Sequence, residues 1–140
     1  MNSKFVRKLL LSLPAVLGFI MLLTPYVLAP VCDGLIELKS GAMVFMKCHY
    51  TGQAELVLGA LLLLVGLMLL FPKIEKRWLG AVVVLIGLAT ILVPQAWVIG
   101  ICAKTTMSCH TTRGWLYVEG LLTMAIGLVI LSGFIKDGAE

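Results

Sequence analysis

Charge is what this sequence has least of. Asp, Glu, Lys and Arg make up 13% of its 140 residues, against about 25% in an ordinary soluble domain, and its mean hydropathy is +1.08. That deficit excludes a water-soluble globule. The sequence also has no Cys-x-x-Cys pair, the short spacing with which thiol oxidoreductases tune a reactive thiolate. It has no Ser-His-acid set, no phosphate loop and no His-x-x-x-His pair, so nothing in it points to acyl hydrolysis, nucleotide use or a helical zinc site. Only two histidines and four cysteines are present, few enough for each position to be weighed.

The apolar residues instead fall into four blocks, near 9–29, 54–71, 78–101 and 115–135. Each is close to the roughly twenty residues needed to cross a ~30 Å hydrocarbon core. The expected fold is an all-α integral-membrane protein, a four-helix transmembrane bundle in a single domain over residues 1–140. The first block resembles a secretory signal, but it is too long for a signal core and Pro30 spoils the cleavage pattern. It reads as a retained span, bent where Pro14 and Pro25 remove backbone donors. The apolar residues of the first outer loop, 30–53, read as an interfacial segment, and a β-strand over 42–50 is the weaker alternative.

The net charge of +4 needs no nucleic-acid partner, because its distribution accounts for it. Lys4, Arg7, Lys8, Lys73, Lys76, Arg77 and Lys136 fall on one side of the spans, and Lys39, Lys47, Lys104 and Arg113 on the other. Short loops richer in Lys and Arg stay in the cytoplasm. Both termini are therefore expected inside, in a multi-pass protein of the cell membrane.

One phrase occurs twice: Met46-Lys47-Cys48-His49-Tyr50-Thr51 and Met107-Ser108-Cys109-His110-Thr111-Thr112. Gly59 and Gly120 follow their cysteines by the same interval, as do Gly66-Leu67 and Gly127-Leu128. Upstream, Gly18 leads to Pro25 and Cys32 as Gly87 leads to Pro94 and Cys102. Self-similarity of this kind predicts one unit used twice: repeat one over about 9–72 and repeat two over about 78–135. Each unit holds two spans, so the two hairpins enter the membrane in the same direction, as parallel repeats. The paired glycines of spans two, three and four predict close helix packing.

Four cysteines on the oxidising side predict a disulfide-braced extracytoplasmic cap. The duplicated order favours Cys32–Cys48 and Cys102–Cys109, each within one repeat. His49 and His110 hold equivalent places and, with Met46 and Met107, offer nitrogen and thioether sulfur that suit copper or haem iron. The competing reading has each histidine capping its own loop or helix. If the cysteines are reduced, thiolates join that set, and copper(I) or zinc is admitted as well. Glu55 and Glu119 are acids at or inside the apolar zone, where an ionisable group is a functional hypothesis by default. With Gln95 they form a candidate polar membrane site, and Arg113, Gln95 and Thr24 are the expected partners of Glu119.

The stretch Met46-Lys47-Cys48-His49-Tyr50-Thr51-Gly52-Gln53-Ala54-Glu55, its echo at Met107-Ser108-Cys109-His110 and the four spans resemble a group of small prokaryotic membrane proteins, domain-of-unknown-function family 4418. The resemblance covers nearly the whole chain. It implies companions of ABC-type export permeases of the macrolide-exporter kind, and carries over no catalytic assignment to any residue. The leading expectation is a non-enzymatic accessory or interaction subunit of a larger membrane complex, such as an ABC-type exporter. The alternatives are a haem- or copper-binding membrane protein and a small oligomeric transporter. Expected partners are the lipid bilayer and another membrane protein or a second copy of the chain.

Overall fold

The computed structural model describes residues 3–32, 34–102 and 108–133. Helix α1 spans Ser3–Leu23 and passes through Pro14 without ending. At Pro25 the ring lacks the N–H that an α-helix needs, and the chain widens into a π-helical turn, Thr24–Leu28. The Ala29 N–H donates to the Thr24 carbonyl at 2.8 Å to close that turn. A short antiparallel hairpin follows, β1 (Leu35–Glu37) against β2 (Met43–Phe45), with Ile36 opposite Val44. Gly41 sits in the left-handed region at φ 79°, the conformation that closes a three-residue hairpin loop. The interfacial segment expected here is thus a β-hairpin, and its strand residues are all exposed.

Helices α2 (Lys47–Leu69), α3 (Lys76–Leu92) and α4 (Cys109–Leu131) complete the fold. Among the described residues, three helical stretches are long and apolar enough to cross a membrane: Phe5–Leu28, Lys47–Leu69 and Cys109–Leu131. The chain is a multi-pass, mostly helical membrane protein. Helix α3, at 17 residues, is about 25 Å long at 1.5 Å per residue. It stops before the expected end of its apolar block because the chain turns at Pro94, and residues 93–99 form successive turns. The other helices depart in the opposite sense. Both α2 and α4 begin several residues before their apolar blocks, so Cys48 and Cys109 stand in helical first turns. Hydropathy marks where a helix meets lipid, whereas polar residues continue the same helix beyond it.

Helix α1 packs chiefly on α2, and α3 on α4, with less extensive contact between the two pairs. Glycine explains the tight pairs. A Cβ on Gly18 would lie 2.8 Å from the Gly59 carbonyl oxygen, and one on Gly87 would lie 2.8 Å from that of Gly120. Lipid supplies no hydrophobic force between helices, so close backbone approach and dispersion hold such pairs together. Leu11, Met21, Leu62, Leu69, Val83, Ile86 and Ile130 form the apolar core that the pairs share. Polar contacts between the pairs gather toward one end, where all four cysteines lie.

Candidate functional site

Cys48 opens α2 and Cys109 opens α4, while Cys32 follows the π-turn and Cys102 follows the turns after α3. Two threonines set how these four points meet. The Thr51 hydroxyl donates to the Gly100 carbonyl at 2.7 Å, and the Thr112 hydroxyl donates to the Ala29 carbonyl at 2.9 Å. Each threonine lies one helical turn below a cysteine of its own helix, and each carbonyl lies just before a cysteine of the other pair. The clasps therefore draw Cys102 toward Cys48 and Cys32 toward Cys109.

The sulfurs of Cys32, Cys48 and Cys109 lie within 4.8 Å of one another. Cys102 Sγ is 2.8 Å from Cys48 Sγ and 3.9 Å from Met46 Sδ. All four side chains are free thiols, Cys48 and Cys109 buried, Cys32 and Cys102 half-buried. The pairing expected within each repeat, Cys32–Cys48 and Cys102–Cys109, is not formed. The closest sulfur contact, Cys48 with Cys102, instead joins the two helix pairs. Sequence spacing suggested the first arrangement, whereas the threonine clasps impose the second. The Ser108 hydroxyl, 3.5 Å from the Cys32 sulfur, holds that thiol below its ordinary range. Cys48 and Cys109 add smaller effects in the same direction, against the opposing effect of partial burial.

The histidines are engaged locally. His49 stacks on Phe45 with ring centroids 4.4 Å apart, and its Nε2 lies 3.0 Å from Gln53 Nε2. With Tyr26 and Val31 these residues line an apolar recess of about 250 Å³. His110 Nε2 donates to the Cys102 carbonyl at 3.2 Å, which fastens the loop that carries Cys102. Met46 adjoins the sulfurs, while Met107 lies outside the described residues.

Below the sulfurs, Glu55 and Glu119 are both buried. Of the partners expected for Glu119, Thr24 donates to its Oε1 at 2.6 Å. Arg113 and Gln95 turn elsewhere, and both donate to the Tyr117 hydroxyl, at 2.8 and 3.0 Å. The sequence assigns no site role to Ser108, Thr51, Thr112 or Tyr117. For the two threonines a signal existed, since each closes one copy of the repeated phrase.

The family described as Domain of unknown function (DUF4418) matches residues 14–135. The chain belongs to that family. The DUF4418 region contains all four cysteines, both histidines and both buried glutamates, so the sulfur cluster and the carboxyl pair lie within the family's own span. No curated protein and no solved structure matches this DUF4418 chain.

The donor set fits a soft ion. Thiolates with a neighbouring thioether suit copper(I) or zinc better than hard cations. A metal–sulfur bond of about 2.3 Å in tetrahedral geometry places ligand sulfurs a little under 4 Å apart, inside the 4.8 Å limit within which the Cys32, Cys48 and Cys109 sulfurs lie.

Proposed function

We propose that this DUF4418 protein is a non-enzymatic accessory subunit of a prokaryotic membrane complex, and that its working part is a thiolate site for a soft d10 ion, copper(I) first. The observation that carries the reading is the convergence of the Cys32, Cys48 and Cys109 sulfurs within 4.8 Å, from three separate segments. Cys102 and Met46 supply further sulfur at its edge. The ion would supply Lewis-acid and one-electron chemistry at the site; the chain's own part is to hold sulfurs in place through the Thr51 and Thr112 clasps. The complex is an ABC-type exporter by family resemblance, with the sulfur site facing outward.

The bundle is read as four spans, with α3 the short one, arranged as two parallel repeats. The matched approaches of Gly18 to Gly59 and of Gly87 to Gly120 support that arrangement, as do the reciprocal threonine clasps. The excess of Lys and Arg on one side of the spans supports an orientation with both termini inside. Single cysteines introduced in a cysteine-free background at Ser3 or Glu75 are expected to be shielded from an impermeant thiol reagent in intact cells. Labelling at either position reverses the orientation.

Metal content tests the reading. Protein purified anaerobically with reductant is expected to take one equivalent of copper(I) per chain, with sulfur-to-copper charge-transfer absorbance. Binding of zinc with no copper(I) would reassign the ion, and uptake of neither by reduced protein defeats the proposal. With reductant removed, dissolved dioxygen should take the thiol electrons and convert the same sulfurs into the disulfide brace of the cap, now across the repeats. Peptide mass mapping is then expected to find Cys48–Cys102 and Cys32–Cys109. Recovery of Cys32–Cys48 instead contradicts the sulfur geometry.

A further inference from the structure

Glu55 on α2 and Glu119 on α4 are 0% and 2% exposed, inside helices that cross the membrane. Metal binding at the cysteines does not use them. Glu55 lies seven residues along α2 from Cys48, and Glu119 ten along α4 from Cys109, so they stand roughly 10 and 15 Å deeper. Their carboxyls are within hydrogen-bonding reach of each other. Thr24, itself 0% exposed, donates to Glu119 Oε1 at 2.6 Å. Among the described residues, no donor reaches either oxygen of Glu55 or Oε2 of Glu119. Three buried acceptors lack a donor, and two of them belong to a carboxyl that meets another carboxyl.

The groups around them do not fill that need. On α4, Arg113 Nε is spent on the Tyr117 hydroxyl, with the guanidinium over the same ring. Beyond α3, Gln95 donates to that hydroxyl too. Within α3, buried Thr90 donates to its own helix at the Ile86 carbonyl, and Lys76 and Arg77 occupy the first turn, at the far end. Arg7 and Lys8 of α1 lie at that far end as well. His49, Cys48 and Lys47 belong to the first turn of α2, above Glu55.

A charged acid inside a membrane span is costly. Two in contact at low dielectric repel strongly unless something positive stands between them. A proton removes one of the two charges and serves two of the three acceptors with no further ligands. It turns a contact between two acceptors into an O–H···O hydrogen bond, because a protonated carboxyl gains a donor. We propose that Glu55 and Glu119 form a proton-binding site in the core of the bundle, holding a proton between one carboxyl from each helix pair. The site lies on the seam where contact is less extensive than within the pairs. Removal of the proton sets two negative charges against each other across that seam, so its occupancy governs how closely the pairs approach.

Infrared spectroscopy of the full chain in lipid at neutral pH tests this. The wild type is expected to show a protonated-carboxyl C=O band that shifts in heavy water and is lost in both Glu55→Gln and Glu119→Gln. A spectrum with carboxylate bands alone overturns the proposal, whether or not a metal cation is found with them. If a variant does not fold, dicyclohexylcarbodiimide provides the assignment on wild-type protein, because it adds to protonated carboxyls in apolar surroundings. Peptide mapping that finds the adduct at Glu55 or Glu119 supports the site. An adduct at neither residue overturns it.

Discussion

Replacement of Cys48 by serine is expected to lower copper(I) affinity by at least about a hundredfold, since changes to outer-shell groups alone cost roughly 10–100-fold. Cys48 is one of the two buried cysteines. It belongs to the group of three within 4.8 Å and also touches Cys102. Serine keeps the shape of the side chain but replaces a soft donor with a hard one. Competition with a copper(I) chelator of known affinity provides the measurement. The histidine variants give the contrast. His49→Ala and His110→Ala are expected to cost no more than the roughly 10–100-fold of an outer-shell change, because one imidazole engages Phe45 and Gln53 and the other the Cys102 carbonyl. A single histidine change that abolished binding, with Cys48→Ser silent, would move the site from sulfur to nitrogen.

The second large effect is expected at Gly87. A Cβ there would lie 2.7 Å from the Met124 backbone nitrogen and 2.8 Å from the Gly120 carbonyl oxygen. Overpacking typically costs about 1–3 kcal/mol where neighbouring side chains can yield. Here the opposing atoms are backbone, so α3 and α4 must separate along their length. Gly87→Leu is expected to destabilise by more than about 3 kcal/mol, a large share of a total near 5–15 kcal/mol. Denaturation of the purified protein in detergent measures it. Gly114 lies in α4 with nothing within 4 Å of an added Cβ, and Gly114→Ala is expected to stabilise by roughly 0.5–1 kcal/mol. Equal outcomes at the two positions would mean that close backbone approach does not hold the pair.

Much of the architecture was legible in the sequence because lipid is a demanding solvent. Long apolar runs expose membrane-crossing helices, and the paired glycines mark where such helices touch. Helix starts were less legible, since Lys47, Cys48 and His49 carry no hydropathy signal that separates a helical turn from a loop. Pro25 announced an irregularity but not its form, a π-turn that leaves Thr24 bonded to Glu119. The cysteines were read from their order along the chain. Their grouping depends on how two helix pairs dock, which rests on contacts between residues 49 and 83 positions apart. The likeness of the two phrases indicated equivalent roles for their residues. It carried no information on whether those roles are met within a copy or between copies.

The threonine clasps also set a timetable for synthesis. Ala29 is made 83 residues before the Thr112 hydroxyl that it accepts, and Thr51 is made 49 residues before Gly100. At about 5–20 residues per second, the Ala29 carbonyl waits some 4–17 s for its donor. Within that interval, from the making of Cys48 until Cys109 follows, a nascent chain carries Cys32 and Cys48 without Cys109. A copy broken off between residues 48 and 100 keeps two cysteines of the cluster's three and leaves both clasps open. The cluster is thus a product of finished chains, and the unclosed end is what a membrane protease would meet on an unfinished one.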